Sequence, residues 1–117
     1  MSLVTLVLGT SVPTITAQEL EQEVKNGNRP FLLDVRQPQE YRLGHIPGAK
    51  LIPLGSLRSR LVEVPRDRKI VCICATGHRS VPAVKKLTAV GIEASSLKNG
   101  MIAWQMARGL LKKGMEE

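Results

Sequence analysis

Short apolar runs alternate along this chain with stretches in which apolar residues recur every three or four positions. Residues 31–35 and 70–73 are short, mainly apolar runs of the kind that strands buried on both faces show. Shorter runs at residues 50–52 and 93–97 indicate two further strands. Because segments with helical spacing separate these runs, the pattern predicts an α/β fold with a parallel sheet and helices on both faces.

The intervening segments carry signals for helix starts and ends. Thr16 and Glu19 have the spacing of a capping box, and Ala17, Leu20 and Val24 then fall on one helix face. Further helices are predicted over residues 38–43, 54–62 and 80–90 and after residue 100. We expect the buried faces of the last three to be formed by Leu57 and Leu61, by Val81, Val84 and Leu87, and by Ile102, Met106 and Leu110, respectively.

A length of 117 residues predicts one domain, which we place at residues 13–111. Residues 1–12 form an apolar, uncharged extension of open role that is too short to span a bilayer. Residues 112–117 form a polar tail that is expected to fray. The extension lacks the basic start and a clear cleavage site of a signal peptide, so none is predicted.

The net charge of +7 favours anionic partners through long-range attraction. The basic residues do not form a readable DNA-binding motif and aromatic residues make up only 3% of the chain, so nucleic acid is not an expected partner. Two cysteines spaced C-x-C are too few for a disulfide framework, and with two histidines they do not make a zinc site. We therefore expect reduced thiols, a cytoplasmic location and no metal.

The chemistry of the chain is concentrated where the run 70–73 ends at Cys74. A short loop containing Gly77 follows, and a helical pattern opens near Ser80. The unpaired backbone N–H groups of such a loop and helix start form an anion-binding nest, which stabilises a thiolate, and Arg79 adds positive charge. Cys74 is therefore the candidate nucleophile, whereas Cys72 inside the strand is expected to be a small buried apolar residue. A loop that binds phosphate without chemistry is the alternative.

Three blocks of the sequence together resemble the rhodanese-like sulfurtransferases. The first block runs from Leu33 through Arg36 and continues with Glu40, Tyr41 and residues 44–49. The second is the Cys74–Ser80 loop, and the third is Asn99-Gly100-Met101 with Trp104. Members of the family usually carry Gly-Gly where this chain has Asn99-Gly100. The resemblance covers nearly the whole chain, from about residue 14 to residue 109.

The resemblance implies a small three-layer α/β domain with a central five-stranded parallel sheet. It also implies that Cys74 takes a sulfane sulfur from a donor such as thiosulfate, becomes a persulfide, and passes the sulfur to cyanide or a thiol. The residues expected to bind the substrate are those of the loop: Ala75, Thr76, Gly77, His78, Arg79 and Ser80. Asp34 and Arg36 are expected to support the site, and no cofactor is implied. The expected partners are a small anionic sulfur donor and a protein thiol acceptor.

Two alternatives to this enzyme stay open at the level of sequence. A protein persulfide carrier or regulatory module would share every motif, and Ala75 is uncharged where some thiosulfate-using members have a basic residue. Related cysteine-dependent phosphatases place five residues between the cysteine and the arginine, whereas only four separate Cys74 from Arg79. The shorter loop suits a single sulfur atom better than a phosphoryl group, which makes the phosphatase the weaker alternative.

Overall fold

The structure is a computed structural model that describes residues 11–117. Most of the predicted 1–12 extension therefore lies outside the described residues. The strands are β1 (Thr14–Ile15), β2 (Phe31–Asp34), β3 (Lys50–Leu51), β4 (Ile70–Ile73) and β5 (Ala94–Leu97). The α-helices are α1 (Ala17–Lys25), α2 (Pro38–Leu43), α3 (Ser80–Ala89) and α4 (Gly100–Met106).

The five strands form one parallel sheet in the order β1-β5-β4-β2-β3. This confirms the predicted fold class. β4 lies at the centre of the sheet, between β2 and β5, so the loop that follows it opens at the carboxyl edge of the parallel sheet, where ligands bind in folds of this kind. The two-residue strand β1 was not predicted from the pattern, because it is too short to show a period.

Alternate residues of β4 pack into two separate cores, one on each face of the sheet. Ile70 and Cys72 join the core beneath α3, whereas Val71 and Ile73 join the core beneath α1 and α4. Both faces of the strand are therefore buried, which explains why its sequence is a continuous apolar run rather than an alternating one. The capping box at the start of α1 is present as predicted, with Thr16 and Glu19 bonded to each other's backbone N–H groups.

Three expectations drawn from the pattern were wrong. The segment predicted as a helix over residues 54–62 forms two 3₁₀ helices, Leu54–Ser56 and Arg58–Glu63. Helix α4 buries Met101 and Trp104, whereas Ile102, Met106 and Leu110 are 52%, 80% and 77% exposed. The helix ends at Met106, so Leu110 lies outside it, and the residues that it buries, Gly100, Met101 and Trp104, follow three- and four-residue spacing.

The polar tail is the third difference, because it packs against the end of α2 instead of fraying. Residues His45 and Lys112 form a two-way backbone bridge, and the Gly114 N–H donates to the carbonyl of Arg42. The buried ring of His45 stacks on Tyr41 and places its two nitrogens 2.9 Å from the Tyr41 carbonyl and 2.7 Å from the Glu116 carbonyl. The tail is therefore held by hydrogen bonds of its backbone groups, which the polar character of its side chains does not predict.

Candidate active site

The loop between β4 and α3 wraps around the sulfur of Cys74. The side chain is buried, and its Sγ atom lies 3.1 Å from the N–H nitrogen of Gly77 and 3.3 Å from that of Ser80. The hydroxyl of Ser80 lies 3.5 Å from the same sulfur. The sequence predicted that loop amides would converge on Cys74, and this geometry is what a sulfur anion requires for stabilisation.

Gly77 takes the backbone conformation that lets the loop close. Its φ of +96° is in the region that favours glycine, and a Cβ there would lie 3.1 Å from the backbone nitrogen of Asn99. Asn99 itself has a φ of +59°, which asparagine tolerates better than most other side chains do. This conformation accounts for the departure from Gly-Gly in the third motif.

The start of α4 forms hydrogen bonds with the backbone carbonyl groups of Cys74 and Ala75. The N–H groups of Met101 and Ile102 donate to the carbonyls of Cys74 and Ala75 at 2.9 Å and 3.2 Å. At Gly100 the backbone passes so close that a Cβ would lie 2.2 Å from the Cys74 carbonyl oxygen. The loop therefore directs N–H groups toward the sulfur while α4 takes up its carbonyl groups.

Arg79 binds a side chain of the protein rather than extending freely into the site. Its two terminal nitrogens donate to the two carboxylate oxygens of Glu40 at 2.7 Å and 2.8 Å. These hydrogen bonds lower the pKa of Glu40 to about 2 and raise the pKa of Arg79. Because Glu40 lies in the first turn of α2, the pair fastens the loop to a neighbouring helix.

We expect Glu40→Gln to weaken this attachment and to do so in a pH-dependent way. The folded-state pKa lies below the ordinary value of 4.5, so the stabilisation is present above pH 4.5 and is lost as the pH falls towards 2. For a pair about one-third exposed, the loss at pH 7 should be about 1 kcal/mol or less. The measurement is the free energy of unfolding of both proteins between pH 7 and pH 3.

Glu63→Gln is the matched control for this prediction. Glu63 also has a pKa of about 2, but its main partner is Arg60 in the second 3₁₀ helix. Both variants should lose their pH-dependent stabilisation, whereas only Glu40→Gln should slow the reactions of Cys74. Equal reactivity of Cys74 in the two variants would contradict a role of Glu40 in fastening the loop.

The remaining side chains of the predicted binding loop point outward or stay near the surface. Thr76 and His78 are exposed, and the Thr76 hydroxyl lies 2.9 Å from Nδ1 of His78. Ala75 is half-buried and contributes its backbone to the contact with α4. Within this loop, the N–H groups of Gly77 and Ser80 face the sulfur together with the Ser80 hydroxyl, whereas the side chains of Thr76 and His78 face solvent.

Asp34 and Arg36 form a buried ion pair at the end of β2. Nε of Arg36 lies 2.9 Å from the carboxylate of Asp34, and its Nη2 donates to the same carboxylate at 2.8 Å and to the Gly44 carbonyl at 2.9 Å. The pair therefore fixes the turn between β2 and α2, and α2 carries Glu40. Among the described residues, the side-chain hydrogen bonds of Asp34 and Arg36 join each other and Gly44 rather than Cys74.

Cys72 and Ser96 complete the surroundings of the nucleophile. Burial raises the pKa of Cys72 to about 12, with a smaller contribution from the charge of Cys74. Ser96 of β5 stands in register with Cys72, and its hydroxyl lies 2.5 Å from the hydroxyl of Ser80. Sequence reasoning missed Ser96, although a serine inside a buried strand is itself a signal, since a buried hydroxyl needs a partner.

Neither a metal site nor a membrane span is found in the part of the chain that the structure describes. No group of three histidine, cysteine, aspartate or glutamate side chains is placed to bind a metal ion within residues 11–117. Across the same residues, no helix has the length and apolar content needed to cross a bilayer.

Comparison with known proteins identifies this arrangement. The rhodanese-like domain family matches residues 16–107. Among curated proteins, the chain is 34% identical to a sulfurtransferase of Allochromatium vinosum over 80% of this chain and 88% of that protein. It is 39% identical to the probable adenylyltransferase/sulfurtransferase MoeZ of Mycobacterium tuberculosis, and 34% identical to the putative sulfur carrier protein YrkF of Bacillus subtilis.

The match to several of these relatives covers only part of their length. The chain spans 24% of MoeZ and 51% of YrkF, with 78% and 80% of this chain aligned. A thiosulfate sulfurtransferase structure from Pseudomonas aeruginosa superposes with a TM-score of 0.82 at 28% identity, covering 91% of this chain and 21% of that one. The sequence match and the shared fold agree, and the chain belongs to the rhodanese-like domain family, whose members among these relatives include sulfurtransferases.

Proposed function

We propose that this domain transfers a sulfane sulfur through a persulfide on Cys74. The observation that carries the proposal is the position of the Cys74 sulfur, which accepts hydrogen bonds from the N–H groups of Gly77 and Ser80. Those donors stabilise a thiolate before the reaction and negative charge on sulfur after it. The names of the sulfurtransferase relatives support the same chemistry.

In the proposed cycle, the Cys74 thiolate attacks the outer sulfur of thiosulfate. A new S–S bond forms, the S–S bond of thiosulfate breaks, and sulfite leaves with its electron pair. An acceptor such as cyanide or a thiolate then attacks the outer sulfur of the persulfide and restores the Cys74 thiolate. The step needs only a polarisable nucleophile and an anion-stabilising loop, both of which this chain supplies.

The loop residues have distinct roles in this proposal. Backbone groups from Ala75 to Ser80 hold the sulfur anion, while the exposed Thr76 and His78 side chains meet the incoming donor. Arg79 holds the loop through Glu40 and adds positive charge near the site. This use of Arg79 argues against a phosphatase, which would need the guanidinium for the phosphoryl oxygens.

A protein acceptor is the second candidate for the physiological partner. The resemblance to the putative sulfur carrier YrkF favours it, as does the uncharged Ala75, which brings no positive charge toward a small dianion. Under this alternative, the Cys74 persulfide still forms, but it is loaded from a persulfide donor and discharged to a protein thiol. The two versions differ in the donor and share the nucleophile.

The intact mass of the reduced protein tests the proposal after incubation with thiosulfate or, separately, with glutathione persulfide. We expect a gain of one sulfur atom that cyanide removes, and fragmentation of the peptide that holds both cysteines should place the sulfur on Cys74. A gain with glutathione persulfide alone would assign the carrier version. No gain with either donor, or a gain on Cys72, would overturn the proposed function.

A further inference from the structure

The hydroxyls of Ser80 and Ser96 form a buried pair beside the nucleophile. Both residues are at most 2% exposed, and their Oγ atoms lie 2.5 Å apart. The Ser80 hydroxyl also lies 3.2 Å from the Gly77 carbonyl and 3.5 Å from the sulfur of Cys74. Ser96 reaches this cluster from β5, outside the loop that the mechanism uses.

Counting hydrogens assigns a direction to this pair. The two hydroxyls carry two hydrogens, and the bond between them uses one. If Ser80 donated to Ser96, the buried hydrogen of Ser96 would have no acceptor among the described residues, and Ser80 would have none left for Gly77 or Cys74. If Ser96 donates to Ser80, both hydrogens are used, because Ser80 then donates to the Gly77 carbonyl or to the sulfur.

We infer that Ser96 is a positioning residue that directs the hydroxyl hydrogen of Ser80 onto the sulfur of Cys74. While Cys74 is a thiol, Ser80 donates to the Gly77 carbonyl. When the thiol releases its proton to solvent, the Ser80 hydroxyl turns to the thiolate, and its oxygen continues to accept from Ser96. In the persulfide, the same Ser80 hydroxyl donates to the Sγ atom of Cys74, to which the outer sulfur is bonded. This inference rests on the proposed role of Cys74.

The prediction concerns ionisation of Cys74, so its test needs no sulfur donor. Absorbance near 240 nm follows thiolate formation as the pH is raised. Tyr41 is the one tyrosine in the chain, and both it and Cys72 have pKa values of about 12, so neither contributes below pH 10. A hydrogen bond to a charged group commonly corresponds to a tenfold or larger change in an equilibrium.

We expect Ser80→Ala to move the titration midpoint of Cys74 upward by about one pH unit, and Ser96→Ala by about half a unit. The double variant should match Ser80→Ala alone, because Ser96 acts through Ser80. Ser95→Ala is the matched control, since Ser95 is the neighbouring residue on β5 and lies outside the cluster. Its midpoint should equal that of the unmodified protein.

Two results would overturn the inference. One is an unchanged midpoint in a folded Ser96→Ala protein, and the other is a shift in the double variant that equals the sum of the two single shifts. Thermal unfolding of each variant establishes that it is folded at the titration temperature. Failure of the proposed function would instead appear as absence of sulfur uptake with these midpoints shifted as expected, so the two failures are distinguishable.

Discussion

Cys74→Ser is expected to abolish sulfur transfer and to leave the fold nearly as stable as before. A serine oxygen at this position accepts the same hydrogen bonds from the N–H groups of Gly77 and Ser80, so the loop keeps its shape. We expect the free energy of unfolding to change by about 1 kcal/mol or less. A hydroxyl is a far weaker nucleophile than a thiolate and does not form a persulfide, so no turnover should remain.

Cys72→Ser is the matched control, and the expected outcome is reversed. Cys72 lies inside β4 with no exposed surface, so a hydroxyl there is buried in an apolar core. We expect a loss of about 1 to 3 kcal/mol of stability, with sulfur transfer retained by the intact nucleophile. Chemical unfolding and the thiosulfate–cyanide assay on the same preparations measure both quantities.

The two variants together separate chemistry from packing. Retained transfer in Cys74→Ser would contradict the assignment of the nucleophile. Loss of transfer in a folded Cys72→Ser protein would show that the second thiol takes part in the reaction. Only the crossed result, in which one variant loses activity and the other loses stability, agrees with the structure.

Gly100→Ala is expected to destabilise the protein by about 3 kcal/mol or more and to stop sulfur transfer. An added Cβ would lie 2.2 Å from the Cys74 carbonyl oxygen and 2.7 Å from the Ala75 carbonyl carbon, and both are backbone atoms. The φ of +55° adds strain to this clash. Relief requires α4 to move away from the loop, which breaks the bonds that Met101 and Ile102 donate to it.

Alanine substitutions at two other glycines separate the contribution of backbone strain from that of steric clash. At Gly27 the φ is +73° but no atom lies within 4 Å of the added Cβ, so alanine there should cost about 1 to 2 kcal/mol from strain alone. At Gly55 the φ is outside the left-handed region and the space is open, so the change should stay within about 0.5 kcal/mol. Losses of unfolding free energy that do not increase in the order Gly55, Gly27, Gly100 would contradict this account.

The sequence was sufficient for the features that rest on local pattern. The run 70–73 predicted β4, the start of a helix at Ser80 predicted where the loop ends, and their junction at Cys74 predicted the amide nest that the structure shows around the sulfur. The alternation of strands and helices predicted the parallel sheet. Each of these predictions follows from hydrophobic periodicity or from the requirement that backbone N–H groups have hydrogen-bond acceptors within a few residues.

Features that depend on distant partners were not predictable in the same way. Ser96 is 16 residues from Ser80 and meets it only because β4 and β5 pair with Cys72 opposite it. The inward face of α4 was misassigned because Ile102, Met106 and Leu110 have the four-residue spacing of a buried helix face. The residue that α4 does bury is Trp104, whose indole N–H donates to the backbone carbonyl of Leu110. Residues 112–117 find their backbone partners at Arg42 and His45, and a segment of six residues shows no periodicity that would indicate them.

The burial of Cys72 has a kinetic consequence for the persulfide. Burial raises the pKa of Cys72 to about 12, so the thiol stays protonated at pH 7 and is not expected to act as a resolving thiol. The chain has no third cysteine. In the proposed cycle, the acceptor therefore comes from outside these 117 residues: once charged with sulfur, the domain keeps it until a thiolate or cyanide ion reaches Cys74, and the availability of that acceptor sets how long the sulfur is stored.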